Sequence, residues 1–117
     1  MSGSALLEKN LGFKKCVPPQ KGDRPLSAAL IKGYLSRLSG WKRSGKEIVK
    51  LFKFADFHET IDFVNALAYI ANREDHHPDL EVGYKTCKVR YSSHELGGLS
   101  ENDFICATKI DELVDGK

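Results

Sequence analysis

The chain has 117 residues, of which 29% are charged and 41% are hydrophobic, and its formal net charge is +2 at pH 7. A chain of this length buries about 60–70% of its unfolded surface in one domain, so it can fold without metal or disulfide cross-links. Acidic and basic residues are interspersed, which argues against a basic stripe for direct nucleic-acid binding. No signal peptide is recognisable and no apolar run is long enough to cross a membrane.

The three cysteines are Cys16, Cys87 and Cys106, and they lie far apart in the sequence. Their odd number and the absence of a CxxC spacing argue against a disulfide framework and against a structural zinc site. The sequence therefore predicts a protein of a reducing compartment. We expect the cytoplasm, and a nuclear fraction is compatible with the same pattern.

The first 24 residues are rich in Gly, Ser, Lys and Pro, with Leu11, Phe13 and Val17 as apolar anchors. Two consecutive prolines at 18 and 19 and a Gly-Asp pair at 22 and 23 interrupt regular structure. This composition predicts a flexible N-terminal arm over residues 1–24 and a folded domain over residues 25–117.

A helix is predicted from residue 28, with Ser27 as N-cap, to about Ser39, where Gly40 ends it. Two strands are predicted at 41–44 and 47–54, joined by a turn at Gly45, where a positive φ is cheap. Both faces of the second strand carry apolar groups. We hypothesise that a second subunit covers one of these faces.

The strongest helical pattern runs from residue 57 to about 75, opened by Asp56 and Glu59 as a capping-box variant and ended before Pro78. Apolar and polar side chains alternate over 80–84 and 87–92, which predicts two more strands. A last helix starts with Ser100 as N-cap and Asp103 at its third position. The predicted order, α-β-β-α-β-β-α, indicates an α+β fold: a single domain with a four-stranded antiparallel sheet and three helices packed on one face.

Three of the four histidines, His76, His77 and His94, follow the second helix and the last strand. Imidazole gives and takes protons near neutrality, so histidines brought together by a fold can perform acid-base chemistry. The alternative for His76 and His77 is a structural role at a helix C-terminus, and for His94 a polar position at a loop entrance. A metal site is disfavoured because adjacent histidines point to different sides of the chain and no zinc-motif spacing is present.

These histidines form a fixed spacing with other residues: His76-His77-Pro78, five residues, Tyr84, nine residues, His94, eight residues, Asp103. The letters SSHE at 92–95 and GGLSE at 97–101 extend the pattern. The pattern resembles the pterin-4a-carbinolamine dehydratase family. With GW at 40–41 and FKF at 52–54, the resemblance covers the chain from about residue 27 to 114.

The resemblance implies the fold predicted above, assembled into homodimers or homotetramers. It implies a dehydratase that removes water from 4a-hydroxytetrahydrobiopterin to give quinonoid dihydropterin, which recycles tetrahydrobiopterin for the aromatic amino acid hydroxylases. The resemblance also implies a reaction that requires no metal and no organic cofactor. The family pattern implies catalytic roles for His76, His77 and His94, with His76 and His94 for proton transfer and His77 for holding the pterin.

Substrate-binding roles are implied at four further residues: Asn72, Ser92, Ser93 and Asp103. The Asp103 carboxylate already has a capping role at its helix, and orientation of His94 is an additional expectation. Asn72 departs from the family pattern, which commonly has a glutamate four residues before His76. Asn72 is expected beside His76 without supplying charge, which predicts a slower enzyme or a shifted pH profile.

The competing interpretation is a non-catalytic protein-binding module. Some animal members of the family act as dimerisation cofactors of a homeodomain transcription factor, and an exposed apolar helix face would favour such a role. Three apolar residues of the last predicted helix could form such a face: Phe104, Ile110 and Val114. They are equally consistent with core packing and with self-assembly. The retained histidine spacing favours the enzyme, because a scaffold has no need for it.

Overall fold

The structure is a computed structural model in which residues 11–115 are described. Its helices are α1 (Ala28–Leu35), α2 (Phe57–Glu74) and α3 (Glu101–Asp115). Its strands are β1 (Lys42–Ser44), β2 (Glu47–Lys53), β3 (Asp79–Val82) and β4 (Thr86–Tyr91), and short 3-10 turns occupy Leu11–Phe13 and His94–Leu96. The predicted α+β fold and its order of elements are confirmed.

The four strands form one antiparallel sheet in the order β1-β2-β4-β3. The central strands β2 and β4 pair from Ile48 opposite Tyr91 to Lys53 opposite Thr86. Because paired residues share a face, this register places five buried side chains under the helices: Ile48, Phe52, Cys87, Val89 and Tyr91. The three helices thus cover one face of the sheet, as predicted.

The other face of the sheet is polar around Arg90, whose guanidinium pairs with Glu47 and Glu81 at 3.2 Å each. Leu51 also lies on this face and is 45% exposed. Cover of this face by a second subunit stays a prediction.

Helix α1 is shorter than predicted, because it ends at Leu35 rather than at about Ser39. The Ser36 hydroxyl donates to the Gly33 carbonyl at 2.6 Å. Serine side chains that bond to nearby backbone groups compete with helical hydrogen bonds, and the chain continues here in turns up to Gly40 at φ 83°. The N-cap is as predicted, since the Ser27 hydroxyl accepts from the Leu30 amide at 3.2 Å.

The two ends of α2 are closed by aspartates. Asp56 accepts from the Glu59 amide at 2.9 Å, and Glu59 accepts from the Ala55 amide at 3.1 Å, which is a variant of the predicted capping box. At the other end Asp75 takes a left-handed conformation with φ 50° and the His76 amide donates to the Ala71 carbonyl at 3.1 Å. This αL closure reverses the chain and turns His76 back over the helix end.

The segment 11–17 packs against α3. Leu11 is only 4% exposed, and the Lys109 ammonium donates to the Gly12 carbonyl at 2.9 Å. Phe104 and Ile105 of α3 are fully buried and belong to the same hydrophobic cluster as Leu11. Part of the predicted arm therefore contacts the domain, whereas residues 1–10 lie outside the described residues and the division at residue 24 stays a prediction.

Candidate active site

His76 lies where α2, β4 and α3 meet. The chain reversal at Asp75 stacks the His76 ring on the ring of Tyr91, the last residue of β4. The ring centroids are 5.2 Å apart and the interplanar angle is 19°. The Tyr91 hydroxyl also donates to the His76 backbone carbonyl at 3.1 Å. Burial raises the pKa of Tyr91, so this hydroxyl stays protonated and remains a donor. The sequence reasoning missed Tyr91, which fixes both the ring and the backbone of His76.

Asp103, at the first turn of α3, binds the imidazole directly. Its Oδ1 accepts from Nε2 of His76 at 2.6 Å, and the Asp103 side chain has no exposed surface. The carboxylate therefore contacts His76, whereas the sequence suggested an orienting contact with His94. The His76 side chain is 15% exposed, so one edge of its ring reaches solvent.

The second oxygen of Asp103 joins α3 to the chain after β4. Oδ2 accepts from the Ser93 hydroxyl and from the Ser100 amide, each at 2.9 Å. The Ser100 hydroxyl lies 2.7 Å from that of Ser93, and it donates because the Ser93 proton is directed to Asp103. The carboxylate thus keeps its predicted capping bond while it holds His76 with its other oxygen. Ser93 is 3% exposed, and it is linked to His76 through the Asp103 carboxylate.

The ionisation of His76 is set by two opposing effects. Burial of the ring lowers the pKa of His76, but the hydrogen bond from Nε2 to Asp103 and the negative charge of that carboxylate raise it. Cys106 and Glu95 add smaller increases through their charges. The net result is a pKa above the ordinary imidazole value of 6.5, so this environment favours the imidazolium form more than water does.

His77 is exposed and is paired with Asn72 on the last turn of α2. The distance from His77 Nε2 to Asn72 Oδ1 is 3.0 Å. Asn72 thus stands beside His77, whereas the spacing of four residues suggested a position beside His76. The difference arises because the left-handed Asp75 ends the helix before His76, so helical spacing no longer applies there.

His94 opens the 3-10 turn after β4 and is exposed. Its Nε2 lies 3.2 Å from the Ser92 hydroxyl, in agreement with the prediction that these two residues share a face. Ser93 faces the opposite way, toward Asp103, and its amide donates to the Gly98 carbonyl at 2.9 Å. The predicted loop after His94 is thus closed onto the end of β4.

The predicted site residues fall into three contact pairs at one end of the sheet: His76 with Asp103, His77 with Asn72, and His94 with Ser92. Ser93 joins the first pair through Asp103. Within residues 11–115 no group of three or more His, Cys, Asp or Glu side chains is arranged to hold a metal ion. Nor does this part of the chain contain a helix long and apolar enough to span a membrane. Each of the three pairs carries an imidazole, which can give and take protons near neutral pH.

The fold and this end of the sheet define an α+β protein that carries a half-buried histidine bound to a buried aspartate, together with two exposed histidines. A sequence model of the family described as pterin 4 alpha carbinolamine dehydratase matches residues 24–113. Because that match covers most of the chain, the protein belongs to the pterin-4a-carbinolamine dehydratase family.

Curated relatives agree with this assignment. A protein of Nitrosospira multiformis, provisionally named a pterin-4-alpha-carbinolamine dehydratase, is 51% identical over 104 residues, which cover 89% of this chain and 92% of that one. A protein of Xanthomonas campestris with the same provisional name is 51% identical over 86% of each chain.

Solved structures share the fold. The transcriptional coactivator/pterin dehydratase from Brucella melitensis superposes with a TM-score of 0.75 at 28% identity, over 77% of this chain and 98% of that one. A pterin dehydratase-like protein described as a RuBisCO assembly factor in the alpha-carboxysome has a TM-score of 0.53 at 23% identity, over 62% of this chain and 84% of that one. The second likeness concerns the fold alone.

Proposed function

We propose that the protein is a 4a-hydroxytetrahydrobiopterin dehydratase, which acts by histidine acid-base catalysis and recycles the cofactor of aromatic amino acid hydroxylases. The observation that carries the proposal is the contact of 2.6 Å between His76 and the buried Asp103. A buried carboxylate that orients an imidazole and stabilises its charged form is a recurrent device of enzymes that move protons.

The proposed reaction needs one proton donor and one proton acceptor on a flat bicyclic substrate. The hydroxyl on carbon 4a receives a proton and leaves as water, N5 loses its hydrogen to a base, and a double bond forms between these two atoms. Because Asp103 favours the charged form of the His76 imidazole, His76 is the proposed proton donor. Nε2 of His76 is directed to Asp103, so the proton delivered to the hydroxyl is that of Nδ1.

The other two histidines complete the proposal. His94 is the proposed base that accepts the N5 hydrogen. It lies on the turn that follows β4, and its Nε2 contacts the Ser92 hydroxyl. His77, held by Asn72, binds the pterin. Ser92 and Asn72 also offer polar groups to the amide edge of the ring, whereas Ser93 and Asp103 act from below through His76.

The glutamate that commonly precedes the first histidine in this family is replaced here by Asn72. A neutral amide fixes the His77 ring but does not stabilise an imidazolium as a carboxylate does. We therefore propose that the charged state of His76 depends chiefly on Asp103, and that the pH profile differs from that of relatives with the glutamate.

The testing experiment measures the dehydration of 4a-hydroxytetrahydropterin by absorbance, for the parent protein, for the His94→Ala variant and for buffer alone. We expect acceleration by the parent and a loss of about 100-fold or more in the variant, because general acid-base groups contribute about 10²–10⁴. Circular dichroism confirms that the variant is folded. A folded parent with the rate of buffer would refute the proposal.

A protein-binding role is the second candidate, because the Brucella melitensis relative is described as a transcriptional coactivator as well as a pterin dehydratase. Two of the apolar residues considered for a binding face, Phe104 and Ile110, are fully buried within the chain. They are thus unavailable to a partner, and the enzyme is favoured. Loss of dehydratase activity together with binding to a homeodomain transcription factor would reverse this preference.

We further propose that the protein forms a homodimer or homotetramer and works in the cytoplasm. The half-exposed Leu51 on the open face of the sheet supports an assembly that covers this face. Sedimentation equilibrium tests the assembly, and a monomer at micromolar concentration would contradict it.

A further inference from the structure

Two of the three thiols meet behind the His76 site. The Sγ atoms of Cys16 and Cys106 are 3.6 Å apart, although 90 positions separate the two residues in the sequence. Cys16 belongs to the segment 11–17 and is half-buried, whereas Cys106 lies in α3 and has no exposed surface. Cys87 is buried in β4.

Polar contacts on both sides of Cys16 hold it in this place. Its amide donates to Glu74 Oε1 at 2.8 Å, which fixes the segment to the end of α2. The amide of Val17 donates to Asn102 Oδ1 at 3.0 Å, and Asn102 Nδ2 donates back to the Val17 carbonyl at 2.8 Å. The contact between the two sulfurs is therefore part of a docked surface made by several bonds.

The two thiols have different acidities. The hydrogen bond from Cys16 lowers the pKa of Cys106, and burial raises it. The Tyr91 hydroxyl and the charge of His76 lower the pKa of Cys106 further. The same hydrogen bond to Cys106, together with burial, raises the pKa of Cys16. Cys106 is thus the sulfur that more readily becomes the thiolate, which is the nucleophilic form, and Cys16 is its proton donor.

We propose that Cys16 and Cys106 are a redox-active pair that closes to an intramolecular disulfide in the presence of hydrogen peroxide and fastens the segment 11–17 onto α3. A disulfide holds its sulfurs about 2.05 Å apart, so they must approach by about 1.5 Å. Rotation of the half-buried Cys16 supplies that movement, and it also opens the path by which peroxide reaches the buried Cys106 sulfur. Three unpaired cysteines argued against a stabilising disulfide framework, and a reversible closure of one pair is a different use of the same thiols.

The oxidation proceeds in two steps. The Cys106 thiolate attacks one peroxide oxygen and the O–O bond breaks, so that a sulfenic acid forms on Cys106 and the departing hydroxide is protonated to water. The Cys16 sulfur then attacks the Cys106 sulfur, the S–O bond breaks, and a second water leaves with the Cys16 proton. Overall two thiols are oxidised, one peroxide is reduced, and two waters are released.

Closure of the pair restrains a long stretch of chain, because the loop between the two residues contains α1, α2 and the whole sheet. A cross-link of this span removes conformations mainly from the unfolded chain. The oxidised protein should therefore melt at a higher temperature than the reduced protein, by roughly 5 °C or more.

The test treats the full-length protein with hydrogen peroxide, blocks the remaining thiols by alkylation and measures intact mass and tryptic peptides without reduction. Trypsin places the three cysteines in separate peptides, at 16–21, 86–88 and 91–109. We expect a loss of about 2 Da before alkylation, a cross-link between the first and third peptides, alkylated Cys87, and reversal by dithiothreitol.

Two variants make the result specific. Cys16→Ser should abolish the cross-link and the rise in melting temperature, and a sulfenic acid on Cys106 should then be trapped by dimedone. Cys87→Ser is the matched control and should retain both. Cross-linking through Cys87, or a parent that peroxide oxidises beyond sulfenic acid without any cross-link, would overturn the proposal.

Discussion

Replacement of Asp103 by asparagine separates the charge of this side chain from its shape. The Asp103 carboxylate accepts three hydrogen bonds, from His76, Ser93 and Ser100, and it is completely buried. Asparagine keeps one oxygen, which can still serve Ser93 and Ser100. It places an NH₂ group against Nε2 of His76, so two donors face each other whenever the imidazole is protonated.

The expected loss of rate follows from the lost contact. Hydrogen bonds that involve a charged group contribute about 1.5–3 kcal/mol, which corresponds to roughly 10- to 150-fold in rate when the contact stabilises the transition state. We therefore expect kcat of Asp103→Asn to fall by about that factor at neutral pH, with a smaller change in KM because the side chain is buried beneath the site.

The pH profile carries the second part of this prediction. Asp103 raises the pKa of His76 against the effect of burial, so without the carboxylate burial prevails and the pKa of His76 falls. If protonated His76 is the donor, the alkaline limb of the kcat/KM profile moves to lower pH in the variant.

The stability of the protein depends on pH through the same raised pKa of His76. The folded-state pKa of His76 lies above its unfolded value of 6.5, so its contribution is fully present below that pH and is lost as the pH rises through the folded-state pKa. Stopped-flow absorbance between about pH 5.5 and 9 and urea unfolding over the same range measure both effects. Glu101→Gln is the control, because Glu101 lies on the same turn of α3 and binds Lys14 and Tyr34 instead. A folded Asp103→Asn protein with the kcat and alkaline limb of the parent would refute the role assigned to this pair.

Three further changes test other contacts. Asn72→Ala releases His77 and should raise KM by about 2- to 10-fold with little change in kcat, the value of one neutral hydrogen bond. Tyr91→Phe keeps the stacked ring but removes its hydroxyl, and urea unfolding should show a loss of about 1 kcal/mol because the partly buried His76 carbonyl loses its donor. Leu11→Ala should lower the free energy of unfolding by about 2–4 kcal/mol if the segment 11–17 belongs to the core, whereas Val17→Ala, at an exposed position, should change it by less than about 0.5 kcal/mol.

Controls and contrary results are available for each change. Asn65→Ala, at an exposed position of α2, should leave KM unchanged. A lower kcat with parental KM in Asn72→Ala would assign His77 to proton transfer instead of binding. Tyr91→Phe with parental stability would show that the carbonyl of His76 finds another donor. Equal effects of Leu11→Ala and Val17→Ala would contradict the observed packing.

The sequence predicted the fold well because its signals are local. Ser27, Asp56 and Ser100 mark the starts of the three helices, and alternation along 87–92 identifies the buried face of β4. The predicted end of α1 was wrong because the Ser36 hydroxyl bonds to a nearby carbonyl. Helix propensity alone does not reveal where such a bond ends a helix.

The partners in the site could not be predicted from spacing. Asn72 and His76 are four residues apart, but the left-handed Asp75 between them ends the helix. The Asn72 side chain therefore contacts His77 and not His76. Likewise, Asp103 had a complete local explanation as a capping residue, and its second bond to His76 depends on how α3 packs against the end of α2. A positive φ at an aspartate and long-range packing leave no periodic signal.

Tyr91 and Cys16 illustrate the same limit. The alternation of β4 predicts that Tyr91 is buried, but its contact with His76 requires the chain reversal at Asp75. Cys16 lies in a segment whose composition predicted a weakly packed arm, and its contact with Cys106 spans most of the chain.

The most direct test of histidine acid-base catalysis is kcat for dehydration of 4a-hydroxytetrahydropterin by His76→Ala, compared with the parent and with His58→Ala. His58 is an exposed histidine in the first turn of α2, so its variant controls for the loss of an imidazole as such. We predict a loss of about 100-fold or more for His76→Ala and parental activity for His58→Ala. A folded His76→Ala protein within about threefold of the parental kcat would contradict the role of His76, because a threefold change is smaller than the contribution of one general acid.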